Sequence, residues 1–262
     1  MKSLEVLFSP AEFAALSALD LSMATCVVFD VLRATSSMAV ALHQDARAVV
    51  PVAGIPEALA IRSQNADVLL AGEREGLRIA TALTGGVEFD LGNSPREFKR
   101  EVVAGKTIVM TTTNGTRALR ATAHANRILV ASFLNLQATA DWLASEAPSR
   151  LLLVCAGTRE EPAYEDALCA GALCELLWTK WCDQGCSDSA LMALRLFRAE
   201  KGDLLTAISQ SRNGRRLISI PDLCEDVPYC AQRDLLNTVL EMDRDGRVRP
   251  MHVAPGRRAL EV

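Results

Sequence analysis

The sequence predicts an α/β protein: a three-layer α/β/α arrangement around a mostly parallel or mixed sheet. Three observations carry this. Short apolar runs that do not alternate with polar residues recur along the chain. Amphipathic, helix-like segments lie between them. Several runs end in a polar turn that opens the next helix. Non-alternating apolar strands are those buried on both faces, which requires helices on either side of the sheet. Sheets of this kind bind ligands at the carboxyl ends of their strands.

Residues 25–29 read as a buried strand and 36–43 as a helix. Residues 48–52 form the next strand and 55–63 the next helix. A third strand over 68–71 ends at Gly72-Glu73-Arg74, and runs at 108–110, 128–130 and 151–154 continue the series. Residues 28–35 can be laid over 109–116, and the same offset of 81 residues pairs His43 with His124 and Val49 with Val130. Few residues are identical, so chance and duplication of βαβ units both remain readings of this echo. A third unit of similar shape begins at 151–158. Beyond Leu177 the pattern changes: a helix end and loop over 178–185, a helix over 188–200, a polar turn over 211–216, an acidic stretch over 222–229 and a last helix over 231–242. No low-complexity linker intervenes, so residues 1–262 are expected to form a single catalytic α/β domain with a helical C-terminal region from about residue 178.

Composition excludes several classes. Half of the 262 residues are hydrophobic, enough for a large core, and the net charge is −4 with no long basic run. Aromatics are only 5%, so neither a basic nor a stacking surface for nucleic acid is expected. No window approaches the ~18 uninterrupted apolar residues of a membrane span. Glu5, Glu12 and Asp20 interrupt the N-terminus, which lacks the pattern of a secretory signal, so a cytoplasmic protein is expected. Eight cysteines are then expected as reduced thiols. Cys182/Cys186 and Cys224/Cys230 have C-x3-C and C-x5-C spacings rather than the tight C-x2-C pairs of zinc ribbons.

The densest chemistry lies at Thr111-Thr112-Thr113-Asn114-Gly115-Thr116-Arg117, between an apolar strand and a helix. Hydroxyls, an amide, an arginine and helix-opening N–H groups all donate to phosphate, sulfonate or carboxylate oxygens. Asp30 sits just past the strand 25–29, where a carboxylate can hold a metal or act as a nucleophile. Arg33 offers a planar oxyanion fork, and Thr35 and Ser36 open the following helix. Spacing alone equally allows Asp30 to cap the turn and pair with Arg33. Glu73 is a second carboxylate at a strand end, and Asn93-Ser94-Pro95 a polar turn. Glu165-Asp166 opens a helix, where the dipole alone explains acidic residues. Asp243-Arg244-Asp245-Gly246 imitates an aspartyl-phosphate loop, but it lies near the C-terminus and not after a buried N-terminal strand. Three histidines are too few for a histidine-rich binuclear centre, and neither C-x5-R nor a P-loop is present.

Val28–Ser36, Ala71-Gly72-Glu73-Arg74, residues 89–95, residues 111–119, Val154-Cys155-Ala156-Gly157 and residues 165–171 resemble, in this order, the 2-phosphosulfolactate phosphatase family. The resemblance covers roughly residues 4 to 250. It implies a Mg²⁺-dependent phosphatase hydrolysing 2-phospho-3-sulfolactate to 3-sulfolactate and phosphate, a step toward coenzyme M. In that reading Asp30, Glu73 and Asp166 surround Mg²⁺ and, with Arg33, carry catalysis. Thr35, Ser36, Asn93, Asn114, Gly115, Thr116 and Arg117 bind the substrate anions. The chain departs from the family pattern at Glu75 and in a longer segment over 78–88. A phosphatase for another 2-phospho-hydroxy acid, and a non-catalytic small-anion-binding protein, are the alternatives. A homodimer is a common assembly for such chains.

Overall fold

In the computed structural model, which describes residues 2–16, 19–182 and 186–251, the chain lays down the same βαβαβ unit twice. Strand β1 (Ser3–Leu7) and the single turn α1 (Phe13–Leu16) come first. The first unit is β2 (Ala24–Phe29), α2 (Ala34–His43), β3 (Ala48–Pro51), α3 (Ile55–Gln64) and β4 (Leu69–Arg74), followed by the short β5 (Leu77–Arg78) and the turn α4 (Arg100–Val103). The second is β6 (Thr107–Thr111), α5 (Gly115–Ala121), β7 (Arg127–Ala131), α6 (Leu136–Glu146) and β8 (Arg150–Cys155). Helices α7 (Tyr164–Trp181), α8 (Asp188–Glu200), α9 (Leu204–Ser209), α10 (Arg212–Ile218) and α11 (Asp226–Cys230) precede a closing hairpin, β9 (Leu240–Met242) and β10 (Val248–Pro250).

The offset of 81 residues holds in three dimensions: it carries Ala34 at the start of α2 onto Gly115 at the start of α5, Ile55 of α3 onto Leu136 of α6, and Leu69 of β4 onto Arg150 of β8. The units are also interlocked. β2 lies parallel between β7 and β8 of the second unit, and β6 lies parallel between β3 and β4 of the first. Neither unit has a contiguous sheet of its own. The full order is β1-β8-β2-β7-β9-β10-β3-β6-β4-β5, and it is symmetric about the β9–β10 hairpin for the strands of the two units. Because β9 is antiparallel to β7 and β10 antiparallel to β3, the two parallel halves run in opposite senses.

Burial follows the pleat. Ala24, Cys26 and Val28 of β2 face one core with α2 and α5, while Val27 and Phe29 face the other with α6, α7 and α8. A smaller core under α3 joins Ala58, Leu70 and Val109. The result is three layers with a mixed, mostly parallel sheet, as the apolar runs predict.

Four short strands escape the sequence pattern, and two C-terminal readings are corrected. Residues 211–216 are not a free turn: Ser211 accepts a hydrogen bond from Gly214 N–H and caps α10. Residues 231–242 are not a helix. Leu236, Leu240 and Met242 have helical spacing, but Asp234 adopts a left-handed φ of 57°, and Leu240–Met242 pairs as β9 between the two halves. Asp243 then organises the hairpin turn by accepting from Asp245 N–H and Arg247 N–H, which is the use this structure makes of the Asp-Arg-Asp-Gly string.

The expectation of eight reduced thiols is corrected at one pair. Cys182 and Cys186, with Cα atoms 4.8 Å apart, are joined by a disulfide. The residues between them, 183–185, and His252 lie outside the described residues. Burial pushes the thiols of Cys26, Cys174 and Cys230 up to about 12, so they behave as small apolar side chains.

Candidate active site

The N-termini of α2 and α5 meet, and Asp30 lies where they meet. Ala34 N–H donates to Asp30 Oδ1 at 3.2 Å, and Gly115 N–H also donates to this carboxylate. Ala34 and Gly115 are equivalent positions of the two units. A Cβ added to Gly115 would stand 2.6 Å from Ala34 Cβ and 2.6 Å from Asp30 Oδ2. The pseudo-two-fold axis thus passes through this contact, and only a residue without a side chain fits beside it.

Two helix N-termini favour the Asp30 anion. Burial opposes them and wins, with Glu73 and Glu165 adding like charge, so the Asp30 pKa rises from 3.8 to about 7. Burial also raises Glu165. It raises Asp166 well above the carboxylate range, with Glu165 and Asp30 contributing. Among the described residues none of these four carboxylates has a Lys or Arg ion-pair partner.

A cavity of about 250 Å³ opens over Asp30, with Arg33, Glu73, Asn93 and Asn114 also on its wall. Thr112 and Thr113 of the turn after β6 complete one side. Arg74, Arg159 and Arg216 form a cationic rim, and among the described residues none of the three is paired with a carboxylate. A floor of buried carboxylate under guanidinium groups that bond only to neutral oxygens suits a small polyanion bound through a cation or a proton.

Other predicted residues have different work. Asp166 does not line this cavity: its Oδ1 accepts from Val31 N–H at 2.8 Å and its Oδ2 from Gly157 N–H at 3.1 Å. Glu73 plays the matching part in the other half. Its Oε1 accepts from Thr113 N–H at 2.9 Å and its Oε2 from Gly76 N–H at 2.7 Å. Gly76 and Gly157 are equivalent positions with φ of 83° and 66°. Each carboxylate therefore ties the loop after one unit's lead strand to the turn after the other unit's last strand.

The expected trio around a metal is not gathered. Among the described residues no three His, Cys, Asp or Glu side chains form a metal-holding group. The hydroxyls of Thr35, Ser36 and Thr116 are likewise buried, and they donate to the carbonyls of Asp30, Val31 and Thr112, closing their own turns. Arg117 points away, pairing with Glu160 at 2.5 Å on the surface. A side chain at the first turn of a helix follows the helix face, and here that face leads outward.

Sequence reasoning missed the contribution of the C-terminal helices. Asn213 of α10 lines the cavity and donates to Thr158 Oγ1 at 2.8 Å and to Glu165 Oε1 at 2.6 Å. Arg216, one turn on, donates to the carbonyl of Glu75. The concentration of Arg, Asn and Gly over 211–216 was the available signal, but no spacing ties it to strands some fifty residues or more away.

The sequence profile of the 2-phosphosulpholactate phosphatase family matches residues 14–245. A probable 2-phosphosulfolactate phosphatase of Thermotoga petrophila is 42% identical over 215 residues, covering 82% of this chain and 87% of that one. The corresponding protein of Caldicellulosiruptor saccharolyticus is 37% identical, with 82% and 87% covered, and that of Synechocystis sp. is 36% identical, with 90% and 92% covered. The family and the names of these relatives place the chain in the class of phosphoric monoester hydrolases. Within that class, the chain belongs to the 2-phosphosulpholactate phosphatase family.

Proposed function

We propose that the chain hydrolyses 2-phospho-3-sulfolactate to 3-sulfolactate and inorganic phosphate with the help of Mg²⁺. The observation that carries this reading is that Arg74, Arg159 and Arg216 line the cavity with Asp30 and, among the described residues, have no carboxylate partner. One phosphoryl group does not need three guanidinium groups whose charge no carboxylate balances; a substrate with a carboxylate and a sulfonate as well does. The family and the names of its relatives supply the matching chemistry.

The donors near Asp30 fit a hard cation. They are oxygens, and among the described residues they are buried without a Lys or Arg partner, while Asn93 Oδ1 on the cavity wall is a buried acceptor without a donor. Mg²⁺ takes one or two carboxylates and keeps waters and substrate oxygens as its other ligands. Asp30 and Glu73 would hold it, while Asp166 keeps the two loops in register. Bound there, Mg²⁺ would polarise a phosphoryl oxygen and lower the pKa of a coordinated water.

The chain's own groups do the rest. Arg33 and Asn114 donate to the phosphoryl oxygens, where charge builds as the ester bond breaks. The arginine rim fixes the distal anions and so orients the ester for in-line displacement. Phosphate release from 2-phospho-3-sulfolactate, from 2-phospholactate and from a simple aryl phosphate, each with Mg²⁺ and with EDTA, tests the reading. A strong preference for the sulfonated ester that vanishes in Arg216→Ala is expected. Equal kcat/KM for all three esters would leave a broad phosphatase. Tight phosphate binding without turnover would leave a non-catalytic anion-binding protein.

A further inference from the structure

Arg33 is an unusual cation for a binding site because it is almost wholly buried. Its guanidinium is held on two sides. NH1 donates to Asp226 Oδ2 at 2.6 Å, with both side chains nearly inaccessible to solvent, and NH2 donates to the carbonyl of Gly76 at 2.6 Å. Asp226 belongs to α11, far along the chain. Its other oxygen accepts from Ser94 Oγ at 2.6 Å and lies 3.6 Å from Arg96. Gly76 in turn donates its N–H to Glu73, which accepts from Thr113. One connected run of hydrogen bonds therefore crosses the cavity wall: Ser94, Asp226, Arg33, Gly76, Glu73, Thr113.

We propose that Asp226 is a positioning residue of this active site: by pairing with Arg33 it sets the direction of the guanidinium that faces the phosphoryl group, and it makes the C-terminal helices part of the catalytic unit. The inference rests on the reading of Arg33 given above. Three features favour positioning over fold stability alone. The pair is a single close hydrogen bond with a second acceptor fixing the guanidinium plane, so the arginine has little rotational freedom. Asp226 is itself fixed by Ser94, which adjoins Asn93 on the cavity wall. Arg33 also lines the cavity, where an anion would complete the bonding of the N–H groups that Asp226 and Gly76 leave over. Asp226 touches no reacting atom and would act only through Arg33.

A double-substitution cycle on the full chain tests this. Wild type, Asp226→Asn, Arg33→Met and the combination are compared for kcat and KM with 2-phospho-3-sulfolactate, for inhibition by inorganic phosphate, and for unfolding temperature. Misplacing a transition-state contact by about 1 Å costs on the order of 100-fold in rate, and Asp226→Asn should lose kcat on that scale with a smaller change in KM. Adding Asp226→Asn to Arg33→Met should cost little further. Asp226→Glu, which keeps the charge, should recover part of the loss, and it replaces Asn in the cycle if the Asn variant does not fold. Losses that multiply in the double variant, or an Asp226 variant that lowers only the unfolding temperature, would overturn the inference while leaving Arg33 in its role. Wild-type turnover in Arg33→Met would overturn the reading of Arg33 and the inference together.

Discussion

Gly115→Ala is the smallest change that tests whether the axis contact governs catalysis. The added Cβ would meet Ala34 Cβ at 2.6 Å, Asp30 Oδ2 at 2.6 Å and Asp30 Cβ at 3.2 Å. Apolar carbon atoms rest at about 3.5–4.0 Å, so either the α5 N-terminus or Asp30 must move by about 1 Å. Overpacking of a buried contact costs roughly 1–3 kcal/mol, and alanine's better helix propensity returns up to about 1 kcal/mol. Stability should therefore fall by only about 1–2 kcal/mol, read by urea unfolding. Activity should fall much further, by about 100-fold in kcat/KM, because the displaced group is the buried carboxylate. Gly171→Ala is the contrast. Its Cβ would strike the Ala193 carbonyl at 2.1 Å where α7 packs on α8, and Gly171 does not line the cavity, so it should cost more stability than Gly115→Ala while the folded fraction keeps its kcat/KM. Combining Gly115→Ala with Ala34→Gly removes the Cβ–Cβ clash and leaves the clash with Asp30, so stability should recover in part and activity should not. Gly115→Ala with wild-type kcat/KM would refute the reasoning.

Other outcomes follow from the same geometry. Since Asp30 is raised from 3.8 to about 7 in the folded chain, its contribution to stability is full below about pH 4 and disappears as pH rises through 7; at about 1.4 kcal/mol per pH unit the loss approaches about 4 kcal/mol. Without divalent cations, wild type should therefore unfold more readily at pH 8 than at pH 5, and Asp30→Asn should show a flatter profile by chemical denaturation together with turnover near background. Mg²⁺ at pH 8 should raise the unfolding temperature of wild type and not of Asp30→Asn; equal shifts in both would place the cation elsewhere. Arg117→Ala should change kcat/KM by less than about threefold, since its partner Glu160 is exposed and surface pairs contribute only about 0–1 kcal/mol.

The parallel strands were legible because each is an apolar run closed by a turn. Asp30, Arg33, Glu73 and Asn114, which the structure places on the cavity wall, could be picked out because they stand where such turns begin. The same logic misjudged Thr35, Ser36 and Thr116. A hydroxyl at a helix start can serve a ligand or its own turn, and burial decides for the turn. It misjudged Arg117 because position in a turn does not fix direction. Asp226, Asn213 and Arg216 could not be found locally, since their partners Arg33, Thr158 and Glu75 come from distant elements. The hairpin β9–β10 was hidden by its brevity: three-residue strands carry no periodicity, and what holds them is the pair of edges they join.

The interlocked duplication explains why this site needed to become asymmetric. On the pseudo-two-fold axis every side chain from one unit has a counterpart close by. Had both lead strands ended in aspartate, two buried carboxylates would share the cavity, and Asp30 is already half-protonated near neutral pH with Glu73 and Glu165 as its neighbours. Like charges so placed suppress one another's ionisation. In this chain the counterpart of Asp30 is Thr111, and that of Arg33 is Asn114. One unit keeps the carboxylate and the fixed cation, and the other supplies neutral donors and the glycine that lets the two helices touch. A phosphoryl group in the cavity would then meet charge from one side and hydrogen-bond donors from the other. The bracing carboxylates Glu73 and Asp166 are not counterparts at the offset of 81, since one stands on β4 and the other on α7, yet each holds one unit's loop to the other unit's turn.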